Sequence, residues 1–320
     1  MMRQVAGLIQ DARSVLVVAH QDPDGDALGS TLGLAHLLRA LGKEVHVYSA
    51  GPLPEEYLFL PGMAWLAPLP PAAAVDLAVL LDCHQTGRTG PESGPYLDAV
   101  ARGAVVDHHR GQSEYGQAAW LDTSYAATAG MLIDLAREAG WPLTPEAATC
   151  LFTGLQTDTG SFRYSNTTPR TFRQAAELVE AGADVWGISQ EVYATRPRRI
   201  HLLSRMLESM SLHQDGRLAL ARVSLADLAA CQCQAQDLEQ VVETLRTIPG
   251  VEVAALLREL PGQRVKISLR SRGRQDVSGL ALKLGGGGHR NAAGAKVDGS
   301  LDQVATRLLT PLAALVGTAA

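Results

Sequence analysis

Residues 14–41 read SVLVVAHQDPDGDALGSTLGLAHLLRAL. The apolar run Ser14–Ala19 gives way to a loop of His, Asp, Pro and Gly over His20–Asp26. From Ala27 to Leu41 apolar residues then recur at helical spacing (Leu28, Leu32, Leu34, Ala35, Leu38, Leu41), and Gly42 supplies a stop. A continuous rather than alternating apolar run fits a strand of a parallel sheet covered on both faces. Further runs at Glu44–Tyr48, Leu77–Leu81 and Ala104–Val106 predict more such strands, and helices are predicted at Thr128–Ala139, Pro145–Thr157 and Thr171–Ala181. The expected fold of this part is a doubly wound α/β domain.

A charged, proline-containing stretch, Thr195–Arg199 (TRPRR), interrupts the pattern, and Ile200–Met210 reads as a connecting helix. Beyond it strands are predicted at Leu218–Val223, Val251–Leu257 and Val265–Arg270, with helices at Leu238–Ile248, Val277–Leu284 and Leu301–Val316. The expected partition is a first domain over 1–190, a helical linker over 191–212 and a smaller α/β domain over 213–320.

The 320 residues are 46% hydrophobic and 19% charged, which is a globular composition. Net charge is −5, with +5 concentrated in residues 251–320, so the molecule as a whole carries no basic track for long nucleic acid. Met1–Arg13 lacks the basic-then-apolar pattern of a secretory leader. The apolar stretch Ala64–Leu81 is broken by Pro68, Pro70, Pro71 and Asp76. No membrane association and a cytoplasmic location are therefore expected. Four cysteines make no disulfide framework, and Cys231 and Cys233 lack the second pair that a structural zinc site needs.

Acids and histidines fall where strands or helices end: His20 to Asp26, Asp82, Asp107-His108-His109 and Asp158. In an open parallel sheet such positions converge on one edge. Each group alone has an ordinary explanation. DPDGD is a turn composition, Asp82 could cap the next element, and a lone histidine at a strand end is usually structural. A calcium loop fails, because Ala27 stands where its glycine should be and Gly33 where its terminal Glu should be. Together, however, the carboxylates would repel one another unless cations neutralised them. Carboxylates with a few imidazoles suit Mn²⁺, with Mg²⁺, Fe²⁺ or Co²⁺ as alternatives, and two ions sharing a bridging carboxylate would clamp a phosphoryl displacement. No nucleophile elbow, Walker A loop or H-E-x-x-H motif competes.

The second informative stretch is Gly285–Gly294, GGGGHRNAAG. Four glycines can be a plain hinge, and the run does not satisfy G-x-G-x-x-G. A backbone that approaches an anion closely is the functional alternative, with His289, Arg290 and the upstream Arg270, Arg272 and Arg274 beside it.

The N-terminal set resembles the four motifs of the DHH phosphoesterases, whose name is the triplet seen here as Asp107-His108-His109, and Gly286–Gly294 (GGGH-x-x-AAG) resembles the signature of the DHHA1 domain. In size and layout the chain is similar to the stand-alone bacterial nanoRNase/pAp phosphatases of the NrnA type, as is the segment Thr157–Thr171. The resemblance implies a DHH domain over 1–190 and a DHHA1 domain over 213–320. It implies His20 and Asp24 as ligands of one ion and Asp26 and His108 of the other, with Asp82 bridging and Asp158 completing the second. Asp107 would orient a neighbouring histidine, and His109 would contact the scissile phosphate or assist the leaving group. Arg270 and His289, with Gly287 and Gly288 of the signature, would grip the far end of the substrate, and Arg163 and Asn166 would touch phosphate or ribose. The expected activity is a manganese-dependent hydrolysis of short oligonucleotides or dinucleotides to mononucleotides, extending to pAp and cyclic dinucleotides. Direction of attack stays open, and a homodimer through the first domain is the guess for oligomeric state. The alternatives are a pyrophosphatase or polyphosphatase of the same superfamily, which the glycine–His289 stretch argues against, and a nucleotide-binding regulator without catalysis.

Overall fold

The computed structural model describes residues 1–238 and 241–317; the side chains of 235, 236, 241, 243 and 289 also lie outside the description. The chain divides into two compact units, Met1–Ala194 and Thr195–Ala320.

The first unit is built on six parallel strands: β1 (Ser14–Val18), β2 (Glu44–Tyr48), β3 (Leu66–Ala67), β4 (Leu77–Leu81), β5 (Gly103–Asp107) and β6 (Ala118–Leu121), in the spatial order β3-β2-β1-β4-β5-β6. The continuous apolar runs are explained by burial on both faces. Val15 and Val17 enter one core, whereas Leu16 and Val18 enter another on the opposite side of the sheet. Seven helices cover it: α1 (Met2–Asp11), α2 (Gly25–Ala40), α3 (Ser93–Ala99), α4 (Thr128–Ala139), α5 (Pro145–Asp158), α6 (Pro169–Glu180) and α7 (Val185–Val192). The predicted doubly wound α/β architecture is thus the observed one. The strand order reverses between β1 and β4, and such a switch point opens a crevice at the carboxyl ends of the strands.

The second unit holds α8 (Pro197–Glu208), β7 (Ser211–His213), β8 (Leu218–Val223), α9 (Leu225–Ala230), α10 (Val241–Thr247), β9 (Val253–Leu260), β10 (Arg264–Ser271), α11 (Ser278–Lys283), β11 (Gly287–His289), β12 (Ala292–Asp298) and α12 (Leu301–Val316). Its sheet runs β11-β12-β10-β9-β8-β7, with β8 and β9 parallel and the other pairs antiparallel. Separate apolar clusters line its two faces. Within the predicted helix Leu238–Ile248, residues 239 and 240 lie outside the described residues, and α10 occupies Val241–Thr247.

The glycine run differs from a hinge. Gly287–His289 form an edge strand paired with Gly294–Ala292. A β-carbon on Gly286 would collide with the carbonyl of Gly294, and one on Gly288, whose φ is +134°, would lie 2.5 Å from Ala293 Cα. Close backbone approach is required here first by the neighbouring strand. All four cysteines are free and buried. Among the described residues no helix is long and apolar enough to cross a membrane.

Candidate metal centre

The edge of the first sheet is assembled by glycines before any ligand is considered. Gly25, Gly29 and Gly33 stand four residues apart on α2, so they share one face. Side chains there would meet Thr157, the Cys150 carbonyl and Leu151 of α5 respectively. On α5 itself, a β-carbon at Gly154 would lie 2.7 Å from Asp26 Oδ1. At Gly29 the two helices touch main chain to main chain, while Thr157 and Leu151 fill the spaces at Gly25 and Gly33, and this contact brings Asp26, in the first turn of α2, near Asp158, the last residue of α5.

Each acid is then fixed by its own local chemistry. Asp24 caps α2, its Oδ1 accepting from the amides of Asp26 (3.1 Å) and Ala27 (3.0 Å). Asp26 is fully buried. Its carboxylate accepts from Thr128 N (2.6 Å) and Ala129 N (2.9 Å), at the start of α4, and from Ser30 Oγ (3.1 Å). A helix amino terminus favours negative charge at this point. Asp82 follows β4 in a left-handed conformation (φ +56°) and accepts from Thr128 Oγ1 at 3.0 Å. Asp107 ends β5. One of its oxygens accepts from His84 Nδ1 (2.6 Å), and the other accepts from His109 Nδ1 (2.7 Å) and His109 N (3.0 Å).

These elements bring His20, Asp24, Asp26, Asp82, Asp107, His108, His109 and Asp158 to one place. Three sets of donor atoms lie within 4.8 Å of one another: His20, Asp24 and Asp82; Asp82, His108 and His109; and Asp26, His108 and Asp158. Asp82 links the first two sets and His108 the last two. His108 Nε2 lies 3.2 Å from Asp158 Oδ2 and 3.5 Å from Asp82 Oδ1, and His20 Nε2 lies 3.4 Å from Asp82 Oδ2.

Electrostatics show what the cluster lacks. Burial pushes the carboxyls of Asp82 and Asp158 well above the usual carboxylate range, and neighbouring carboxylates, Asp26 foremost, raise them further. Burial likewise raises Asp26, against the pull of His108, and it lowers His20 and His108 toward neutral imidazole. Asp107 moves the other way: burial opposes its charge, but the hydrogen bonds from His109 and His84 prevail and hold it low. Burial raises the Cys83 thiol so far that no thiolate competes beside Asp82. Oxygen donors with neutral imidazoles and unrelieved negative charge fit divalent cations of the borderline-to-hard kind.

His84 escaped the sequence reading; its only signal was a position two residues beyond Asp82. Asn166 donates to the carbonyls of Asp158 (3.0 Å) and Ala126 (3.2 Å), bracing the loop behind Asp158, and Arg163 donates to Gly160 O (2.7 Å). In the second unit, Arg270 on β10 pairs in register with Ala292, which pairs in turn with His289, so one cross-strand row holds all three. The His289 side chain lies outside the described residues.

Comparison with known proteins follows the same division. Residues 14–155 match the DHH family N-terminal domain and residues 224–315 match the DHHA1 domain. The bifunctional oligoribonuclease and PAP phosphatase NrnA of Thermus thermophilus is 37% identical over 316 residues, covering 96% of this chain and 92% of the relative. The protein of the same name from Bacillus subtilis is 29% identical over 289 residues, with 89% of each chain covered. A solved structure from Bacteroides fragilis, described as an exopolyphosphatase-related protein, superposes with a TM-score of 0.91 at 26% identity, over 97% of this chain and 95% of that one. With both domains matched and a relative this similar along nearly its whole length, the chain belongs to the DHH/DHHA1 phosphoesterases of the NrnA type.

Proposed function

We propose that this chain is a manganese-dependent phosphodiesterase that hydrolyses short oligonucleotides and dinucleotides to mononucleotides and also acts on pAp. The observation that carries the proposal is the linkage of three donor sets through Asp82 and His108. Relatives named as oligoribonucleases and PAP phosphatases, one of them 37% identical, support the substrate class.

His20 and Asp24 would hold one ion and Asp26, His108 and Asp158 the other, with Asp82 between them. When bound, two such ions acidify a water and neutralise charge on the phosphoryl group. The water oxygen bonds to phosphorus, the bond from phosphorus to the leaving ribose oxygen breaks, and that oxygen takes up a proton. Asp107 holds His109 by its Nδ1, which fixes the ring to face phosphate or leaving group. Arg270 and the Gly287–Gly288–His289 strand are assigned to nucleotide recognition in the second unit. Arg163 and Asn166 belong to the loop behind Asp158 and act there first as supports.

The test is to strip the protein of metal, reload it with manganese, and offer labelled oligonucleotides of two to about ten units, pAp, a cyclic dinucleotide and pyrophosphate. Mononucleotide release from the shortest oligonucleotides, with two manganese ions bound per chain, is expected. Turnover of pyrophosphate alone would overturn the proposal.

A further inference from the structure

The turn that follows Asp82 is built with more care than an exposed loop requires. Thr86–Arg88 form a single tight helical turn. Behind it Thr89 and Ser93 are fully buried. Thr89 Oγ1 lies 2.7 Å from Thr86 O and 2.6 Å from Ser93 Oγ, and Ser93 Oγ lies 2.9 Å from Gly90 O, so the two hydroxyls divide their two protons among three short contacts. Gly90 has a φ of +109°, and a β-carbon there would lie 2.6 Å from Ala50 Cβ and 3.0 Å from the Tyr48 hydroxyl. The turn is thus pressed against the end of β2. It is also tied to the first motif, because Gln21 N donates to Arg88 O at 2.7 Å. Buried hydroxyls and a glycine at positive φ hold the backbone of this turn, and Arg88 stands exposed on it.

Among the described residues, Arg88 makes no ion pair and no side-chain hydrogen bond, although carboxylates crowd the neighbouring pocket. Its charge is nevertheless felt there. After burial and the Asp24 charge it is the next influence on His20, and it opposes the rise that Asp107 produces at His109. An unspent guanidinium carried on a fixed turn that is bonded to the first motif is suited to phosphate, whose oxygens it can meet with two parallel hydrogen bonds.

We propose that Arg88 contacts the phosphate under attack, donating to its non-bridging oxygens and countering the charge that builds there. The proposal rests on the phosphodiesterase reading above. Arg88 forms and breaks no covalent bond in the displacement; its part is charge and orientation.

The experiment compares manganese-loaded wild type with Arg88→Met, Arg88→Lys and Arg88→Ala on pApA, and measures binding of inorganic phosphate to the same proteins. Arg88→Met should lose about 100-fold in kcat/KM, with bound manganese and thermal midpoint unchanged. Arg88→Lys should recover only part of the loss, and added guanidinium ion should partly restore Arg88→Ala. Phosphate binding should weaken in all three variants. Wild-type turnover matched by Arg88→Met would overturn the role of Arg88 and leave the phosphodiesterase reading standing. Loss of manganese in the variants would also overturn it, assigning Arg88 to the metal site instead. If wild type cleaves no nucleotide, the phosphodiesterase reading fails, and the phosphate measurement alone decides: unchanged binding in Arg88→Met overturns the proposal.

Discussion

Gly154 on α5 leaves the space that the Asp26 carboxylate on α2 occupies: a β-carbon at 154 would come within 2.7 Å of Asp26 Oδ1 and 2.9 Å of Ala129 Cβ. The shortest side chain in the molecule thus sets the position of one of its most buried charges. Gly154→Ala should cost about 1–3 kcal/mol of stability through overpacking and should weaken manganese binding at the same time. Thermal denaturation and a manganese titration of the variant check both. Unchanged metal affinity would mean that Asp26 is held by its hydrogen bonds alone.

Asp82 is held in the left-handed region, where asparagine is the side chain that substitutes with least strain. Asp82→Asn should abolish turnover while making the metal-free protein more stable than wild type. The folded-state carboxyl lies above its unfolded value of about 3.9, so the folded state binds the proton more tightly and wild-type stability declines as pH rises from that value toward the folded one. Asparagine cannot ionise and escapes this decline. The stability gap between Asp82→Asn and wild type, measured in chelator by denaturant unfolding, should therefore widen with pH and then level off. Manganese should reverse its sign.

His84→Ala removes one of the two histidines that share Asp107. It leaves a buried carboxylate oxygen unpaired, at a cost of about 1–3 kcal/mol. It also loosens the acid that orients His109, and activity should fall about 10–100-fold, as is usual when a supporting partner of a metal site is removed. Steady-state kinetics at saturating manganese, beside a melting curve, separate the two effects.

Gly287 and Gly288 should behave oppositely. A β-carbon on Gly288 would strike Ala293 from a backbone at φ +134°, whereas one on Gly287 meets nothing within 4 Å. Gly288→Ala should lower stability by about 1–3 kcal/mol. Gly287→Ala should fold as wild type, so any rise in its KM for a dinucleotide reports a ligand that comes close to that backbone.

Much of the first unit was readable because the signal was local. Runs such as Leu77–Leu81 are apolar throughout, since both faces of their strands are covered, and the acids stand directly after them. The first helix, Met2–Asp11, was missed because it buries only Val5, Ala6 and Ile9. β6 offers just four residues, and β12 begins Ala-Ala-Gly, a poor strand sequence that holds because Arg264–Arg270 of β10 pair along its whole length. At the sheet edge the acids and histidines that gather were legible and their supports were not. His84 acts through a carboxylate 23 positions away, and the glycines of α2 matter only because α5 lies against them. Partnerships of that kind are properties of the tertiary structure.

The glycine seam between α2 and α5 has one more consequence. A joint whose α2 side is glycine has few rotamers to freeze, so its geometry is inherited by the bare polypeptide rather than created when cargo arrives. Loading and unloading of ions can then proceed through rearrangement of hydration and a few carboxylates, with both helices intact throughout.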